Sequence, residues 1–324
     1  MPEKSVGFAI GNLRARENRL LKKNDLSGFA AANNVTELAR MLRDKGIGKT
    51  DNADVPALLH EDAEEMWKYL TDPPPPAAFA PFLCENDFHN YKAVLKGIIR
   101  GREYESLLIL PASVELPVLE KAVKEKRFDL LPDYMRKPAA EAYEVLVQSG
   151  DSQLADCIID AGCMSAQTLL AEKSKNTVIK DLITVSVFYK NIKAALRAAK
   201  TGRSAQFIES TLTETGVVSK KAMVTAALGG EEKVLELLSK AVTVGGAEAA
   251  EAYKKSPGDF EKYADNRLLS TAKRCKYITI GIEPLIGYML ARKAQITDLQ
   301  IIYSGVKTGQ GSDKTLERLR ELYG

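Results

Sequence analysis

The stretch NYKAVLKGIIRG, Asn90 to Gly101, returns 101 positions later as NIKAALRAAKTG, Asn191 to Gly202. Asn, Lys, Ala, Leu, a basic residue and a closing Gly recur at identical spacing. A second pair lies upstream: LARMLRDKG, Leu38 to Gly46, and LADCIIDAG, Leu154 to Gly162, share Leu, Ala, an aliphatic, Asp and Gly, now 116 positions apart. The order of the two elements is kept. The difference in offset falls in the connecting region of the first copy, which holds DPPPPAAFAP. A run of prolines breaks a helix and stiffens a loop, so this insert reads as a surface excursion. A repeat of about 100 residues is far longer than the 20 to 50 of a solenoid, so each copy should be a small domain in its own right. The tail after Tyr253 has the right length for a third.

The periodicity inside these copies is helical. Val178, Leu182, Val185, Tyr189, Ile192, Leu196 and Ala199 alternate steps of four and three, which places one apolar stripe along a single long helix. Strand-like alternation is absent. Pro56 suits a first helical turn, and Gly46, Gly101, Gly150 and Gly202 follow periodic runs as helix-ending glycines do. The expected fold class is all-α, built of several similar helical domains.

One short motif suggests chemistry. Gly46-Ile47-Gly48-Lys49-Thr50 resembles the tail of a phosphate-binding loop. The full motif requires glycine where Arg43 stands, and a strand before it with a helix after. Here a helix is expected to end at Gly46, as the paired Gly162 suggests, and DNADVP follows. No bound nucleotide is therefore expected.

Other catalytic material is scarce. His60 has no evident partner nearby in sequence, and His89, in ENDFHNYK, reads as part of a hydrogen-bonded helix entry. Cys157 and Cys163 fit no zinc spacing, and the four cysteines read as reduced thiols. Neither a metal nor a cofactor is expected. Arg14, Arg16, Arg19, Lys22 and Lys23 form a basic cluster, but Glu17 and Asp25 interrupt it and the net charge is only +3. Nucleic acid is not expected as a partner, and the cluster reads as a solvated or interface face. Trp67 reads as a core anchor. No apolar run reaches the roughly 20 residues of a spanning helix, and the opening stretch from Met1 to Leu21 lacks the order of a signal peptide. Any membrane association should be peripheral.

The segment GIEPLIGYMLARKAQITDLQIIYSGVKTG, Gly281 to Gly309, with the closing LERLRELYG, resembles the carboxy-terminal region of the C subunit of V/A-type rotary ATPases, the counterpart of the eukaryotic V-ATPase d subunit. ENDFHNYKAVLKGIIRG resembles that family's first repeat, and FAIGNLRARENRLL its amino-terminal helix. The resemblance implies a funnel of three similar helical domains with pseudo-threefold symmetry, here 1–111, 112–210 and 211–324. It also implies a non-catalytic central-stalk subunit at the cytoplasmic face of the membrane, joining the proteolipid ring to the shaft of D and F subunits and transmitting torque without touching ATP. A helical-repeat scaffold of another complex is the alternative. Polar positions near the matched motifs are the interface candidates: Arg14, Arg16, Arg19, His89, Asn90, Lys92, Asn191, Lys193 and Glu283.

Overall fold

The computed structural model describes residues 11–51, 54–71 and 77–323. Residues 1–10, part of the stretch read above for a signal peptide, and 72–76, which hold four of the insert's five prolines, lie outside the described residues. The end of the insert is not a surface excursion, since Phe79 and Pro81 are buried and Pro81 stands in the first turn of a helix. Among the described residues there is no strand. The first half of the chain forms α1 (11–17), α2 (Lys23–Ala30), α3 (Val35–Asp44), α4 (Val55–Thr71), α5 (Ala80–Arg100), α6 (Leu116–Lys124), α7 (Asp133–Ser149) and α8 (Ser152–Ser174). There follow α9 (Thr177–Lys200), α10 (Ala205–Thr211), α11 (Lys220–Leu228), α12 (Glu231–Ser239), α13 (Gly246–Lys255), α14 (Pro257–Lys273), α15 (Glu283–Thr308) and α16 (Ser312–Glu317). The chain is all-α, as its periodicity requires.

By density of contacts the chain divides into two compact units, one of Met1–Pro76 with Glu251–Gly324 and one of Ala77–Ala250. This division is distinct from the one by repeat, since both Asn90 and Asn191 fall in the second unit.

In the first unit Leu38, Leu42 and Leu58 pack with Leu299, Ile302 and Leu319. Along the same face of α15, Arg292 reaches the Asp62 carboxylate of α4 at 2.6 Å and the Tyr288 hydroxyl at 2.9 Å. Trp67 is buried beside Lys293, whose ammonium lies 5.5 Å from the ring centroid. At the end of α3, Gly46 adopts φ +82° and the Ile47 amide returns to the Leu42 carbonyl at 2.9 Å, a glycine-capped helix end.

In the second unit Phe88, Tyr91 and Leu95 of α5 pack with Met135 and Ala139 of α7 and Ile159 of α8. The seven stripe residues lie on the single helix α9; six are buried and Ala199 partly so. Gly162 corrects the sequence reading. It does not end a helix but lies within α8, where a Cβ would come within 2.5 Å of Pro138 and 3.2 Å of Phe88. Its role is close approach rather than termination, so the matched glycines Gly46 and Gly162 do different work. By length and composition α8 alone among the described helices could span a bilayer, but half of its most apolar window is buried inside the protein, as a core helix's would be.

Candidate functional site

Three long helices end alike. After α5, α9 and α15 the chain passes through Gly101, Gly202 and Gly309, with φ of +61°, +60° and +68°. The next amide in each case turns back to a small residue: Arg102 to the Gly97 carbonyl at 2.9 Å, Arg203 to Ala198 at 3.2 Å and Gln310 to Gly305 at 2.9 Å. A left-handed glycine permits this backward bond at low cost.

Eleven positions before each glycine stands a buried polar side chain: Asn90, Asn191 and Asp298. Asn90 accepts the Ile109 amide at 2.8 Å and donates to the Ile109 carbonyl at 2.9 Å. Asn191 does the same to Thr213, at 3.1 and 2.8 Å. Asp298 accepts the Arg320 amide at 2.8 Å. Each helix thus holds the chain that returns along it by one backbone residue, and a side-chain amide matches both backbone groups without a charge. The repeated dodecapeptide pointed to the first two positions. The third was missed because Asp replaces Asn, although Asp298 precedes Lys307-Thr308-Gly309 at the spacing by which Asn191 precedes Lys200-Thr201-Gly202.

The first of these contacts is reinforced by neighbours on α5. The His89 ring nitrogen Nε2 lies 2.9 Å from the Leu107 carbonyl oxygen, and Asn86 donates to the Pro111 carbonyl at 2.8 Å. Asp87 accepts the amides of Ser113 at 2.6 Å and Val114 at 3.0 Å. Burial pushes the Asp87 carboxyl up, although those two amides pull it back. ENDFHN is therefore a loop-holding segment in mid-helix, not a helix entry.

His89, Lys92 and Lys193, three of the nominated residues, line one cleft of about 570 Å³ among α5, α8 and α9. Lys92 pairs with Asp160 at 2.7 Å, Lys96 with Asp156 at 2.6 Å and Lys190 with Glu85 at 2.7 Å. Both signs meet along its walls, on side chains that remain partly exposed. Asn90 and Asn191, nominated with them, turn inward. Their amides are engaged by the loops, so they do not reach solvent.

The remaining nominees lie in the first unit and do not form one basic face. Arg14 is half-buried, paired with Glu17 at 2.6 Å and donating to the carbonyls of Lys276 at 2.8 Å and Ile278 at 3.3 Å. Arg16 lies 4.1 Å over the Tyr69 ring, and its Nη1 is 4.0 Å from Glu65. Arg19 is exposed, and the Glu283 side chain is half-buried and folds back over Gly281. Arg14 and Arg16 therefore hold local structure, while Arg19 faces water.

The phosphate-loop-like turn is already filled from within. The amides of Lys49 and Thr50 donate to the Glu61 carboxylate at 2.7 and 3.2 Å, and the Thr50 hydroxyl at 2.6 Å. The Thr50 hydroxyl first, and then the Lys49 amide, hold that carboxyl below its usual range. A phosphate there would have to displace an anion. His60, for which no partner was read, lies 3.4 Å from Glu64 one helical turn on. Among the described residues no three His, Cys, Asp or Glu side chains gather as a metal would need, and all four cysteines are free.

These features define an all-helical protein whose buried polar groups hold its own returning loops. Residues 9–318 match the family model described as the ATP synthase (C/AC39) subunit, and the chain belongs to that family. It is similar to the C subunit of the V-type sodium ATPase of Enterococcus hirae, 21% identical over 323 residues that cover 96% of this chain and 97% of that protein. The resemblance read from the carboxy-terminal segment agrees with both.

Proposed function

We propose that this chain is a non-catalytic adaptor of the central stalk, a peripheral subunit at the cytoplasmic face of the membrane. It joins the proteolipid ring of a V/A-type rotary ATPase to the shaft of D and F subunits and carries torque between them. The family match over residues 9–318 carries the reading. The three alike helix ends, at Gly101, Gly202 and Gly309, support a repeat of three similar helical domains, 1–111, 112–210 and 211–324. Torque needs a body that yields little, and close-packed helices, two of whose loops are fixed by two-point hydrogen bonds, supply one.

The joints are polar and charge-assisted. Lys92, Lys193 and His89 on the α5–α8–α9 cleft, and Arg19 with Glu283, are the contacts to test first. Attachment then weakens with salt, since the Debye length falls from about 10 Å at 0.1 M to about 3 Å at 1 M. The deciding experiment captures purified D and F subunits and, separately, detergent-solubilised ring, at low and high salt, with the wild type and a Lys92→Glu/Lys193→Glu variant. Salt-sensitive capture of both by the wild type supports the adaptor, and capture of neither removes it. The chain binds no ATP in this reading, so calorimetric titration with ATP and magnesium gives no heat beyond dilution.

A further inference from the structure

The third helix end differs from the other two in one atom. An asparagine offers its loop an oxygen and an N–H; an ionised aspartate offers two oxygens and no donor. Asp298 Oδ1 takes the Arg320 amide at 2.8 Å, as Asn191 Oδ1 takes that of Thr213. By this equivalence the second carboxyl oxygen takes the place of the Asn191 amide nitrogen, which donates to a carbonyl, and Asp298 is only 1% exposed. Two oxygens facing each other out of water repel unless a proton lies between them.

We propose that a proton completes this contact. When Asp298 is neutral, its hydroxyl donates to the Arg320 carbonyl and it holds residues 318–323 by two bonds, beside the Glu321 amide on Asn266 and the Arg320 guanidinium on Asp265; when it ionises, one of its two bonds remains and the segment opens more often. The proton is exchanged with solvent during those openings. The segment matters to the first unit because Leu319 and Tyr323 are buried in it.

The surrounding charges fit this. Lys262 and Asp265 of α14 and Arg320 itself act on Asp298. Arg320 is held by Asp265 at 2.7 Å, and Lys262 donates to the Glu317 carbonyl at 2.5 Å, so neither cation is committed to the Asp298 carboxylate. Elsewhere around α15, Arg292 pairs with Asp62, Lys293 lies over Trp67, Lys273 pairs with Glu321 and Asp25 pairs with Lys45. Burial first of all pushes the Asp298 carboxyl up to about 6, against the pull of the Arg320 amide and guanidinium. This folded value lies above the ordinary 3.8. The group therefore stabilises the closed segment fully below 3.8, and that stabilisation is lost as pH rises through about 6.

The test is hydrogen–deuterium exchange of residues 318–323 in the full chain from pH 5 to pH 8, corrected for intrinsic exchange, in the wild type and Asp298→Asn. Opening in the wild type should rise by about tenfold over that range relative to the variant, whose amide needs no proton. The converse variant, Asn191→Asp, should bring the same pH dependence to the residues around Thr213 and leave 318–323 as in the wild type. Identical pH profiles for wild type and Asp298→Asn would overturn the proposal. So would an Asn191→Asp variant whose Thr213 segment is pH-independent.

Discussion

The ends of α9 and α15 pose one problem and answer it with different chemistry. Both helices stop at a left-handed glycine after Lys-Thr, and both hold the returning chain by a backbone residue 22 positions beyond a buried side chain. Asn191 matches both backbone groups at any pH. Asp298 matches both only while it carries a proton. The end of α5 is a third case, in which His89, Asn86 and Asp87 share the loop with Asn90. On their own helices Asn191 and Asp298 act alone, although Ser165 of α8 meets the Thr213 hydroxyl and Asn266 and Asp265 of α14 hold Glu321 and Arg320. The fewer side chains share a backbone contact, the more sensitive it should be to each.

The largest effect is expected at Asn191. Replacing it with Ala removes two bonds at a fully buried position and leaves the Thr213 amide and carbonyl unpaired, which should cost about 3 kcal/mol in denaturant unfolding. A loss as small as that of a surface change would mean the loop is held by other contacts. Next comes Asp298→Asn, which should stabilise by about 2 kcal/mol at pH 8, with the gain shrinking as pH falls through 6 toward 3.8. Melting temperatures of the two proteins across that range read this directly, and a variant less stable than the wild type at pH 8 would break the comparison. Asn90→Ala should cost about 1 kcal/mol, because the neighbouring side chains keep the loop in place. If it costs as much as Asn191→Ala, the sharing is not energetic. The smallest effect belongs to Lys49→Ala, within about 0.5 kcal/mol, since its ammonium makes only a surface pair with Glu65 at 3.0 Å.

The amino-acid sequence by itself determined the local part of this protein. Apolar spacing of three and four fixed α9 and its buried stripe, because helical periodicity is a property of the chain. Glycine after an apolar-periodic run fixed the ends at Gly101 and Gly202, because φ above zero is cheap only there. The repeated Asn marked a position of importance, and a motif of 29 residues near the carboxy terminus carried the family resemblance. Only the tertiary structure decided what those positions touch. Gly162 resembled Gly46 in sequence, yet it is a packing glycine inside α8, and the neighbour that makes it so is Pro138, 24 residues away on another helix. Asn90 and Asn191 read as surface contacts because polar residues usually face water, but partners 19 and 22 residues downstream draw them inside. The cluster of Arg14, Arg16 and Arg19 separated for the same reason, since Tyr69 and the carbonyls of Lys276 and Ile278 become neighbours only when the chain has folded. Backbone preference acts between residues close in sequence, whereas burial and hydrogen-bond partnership act between residues close in space.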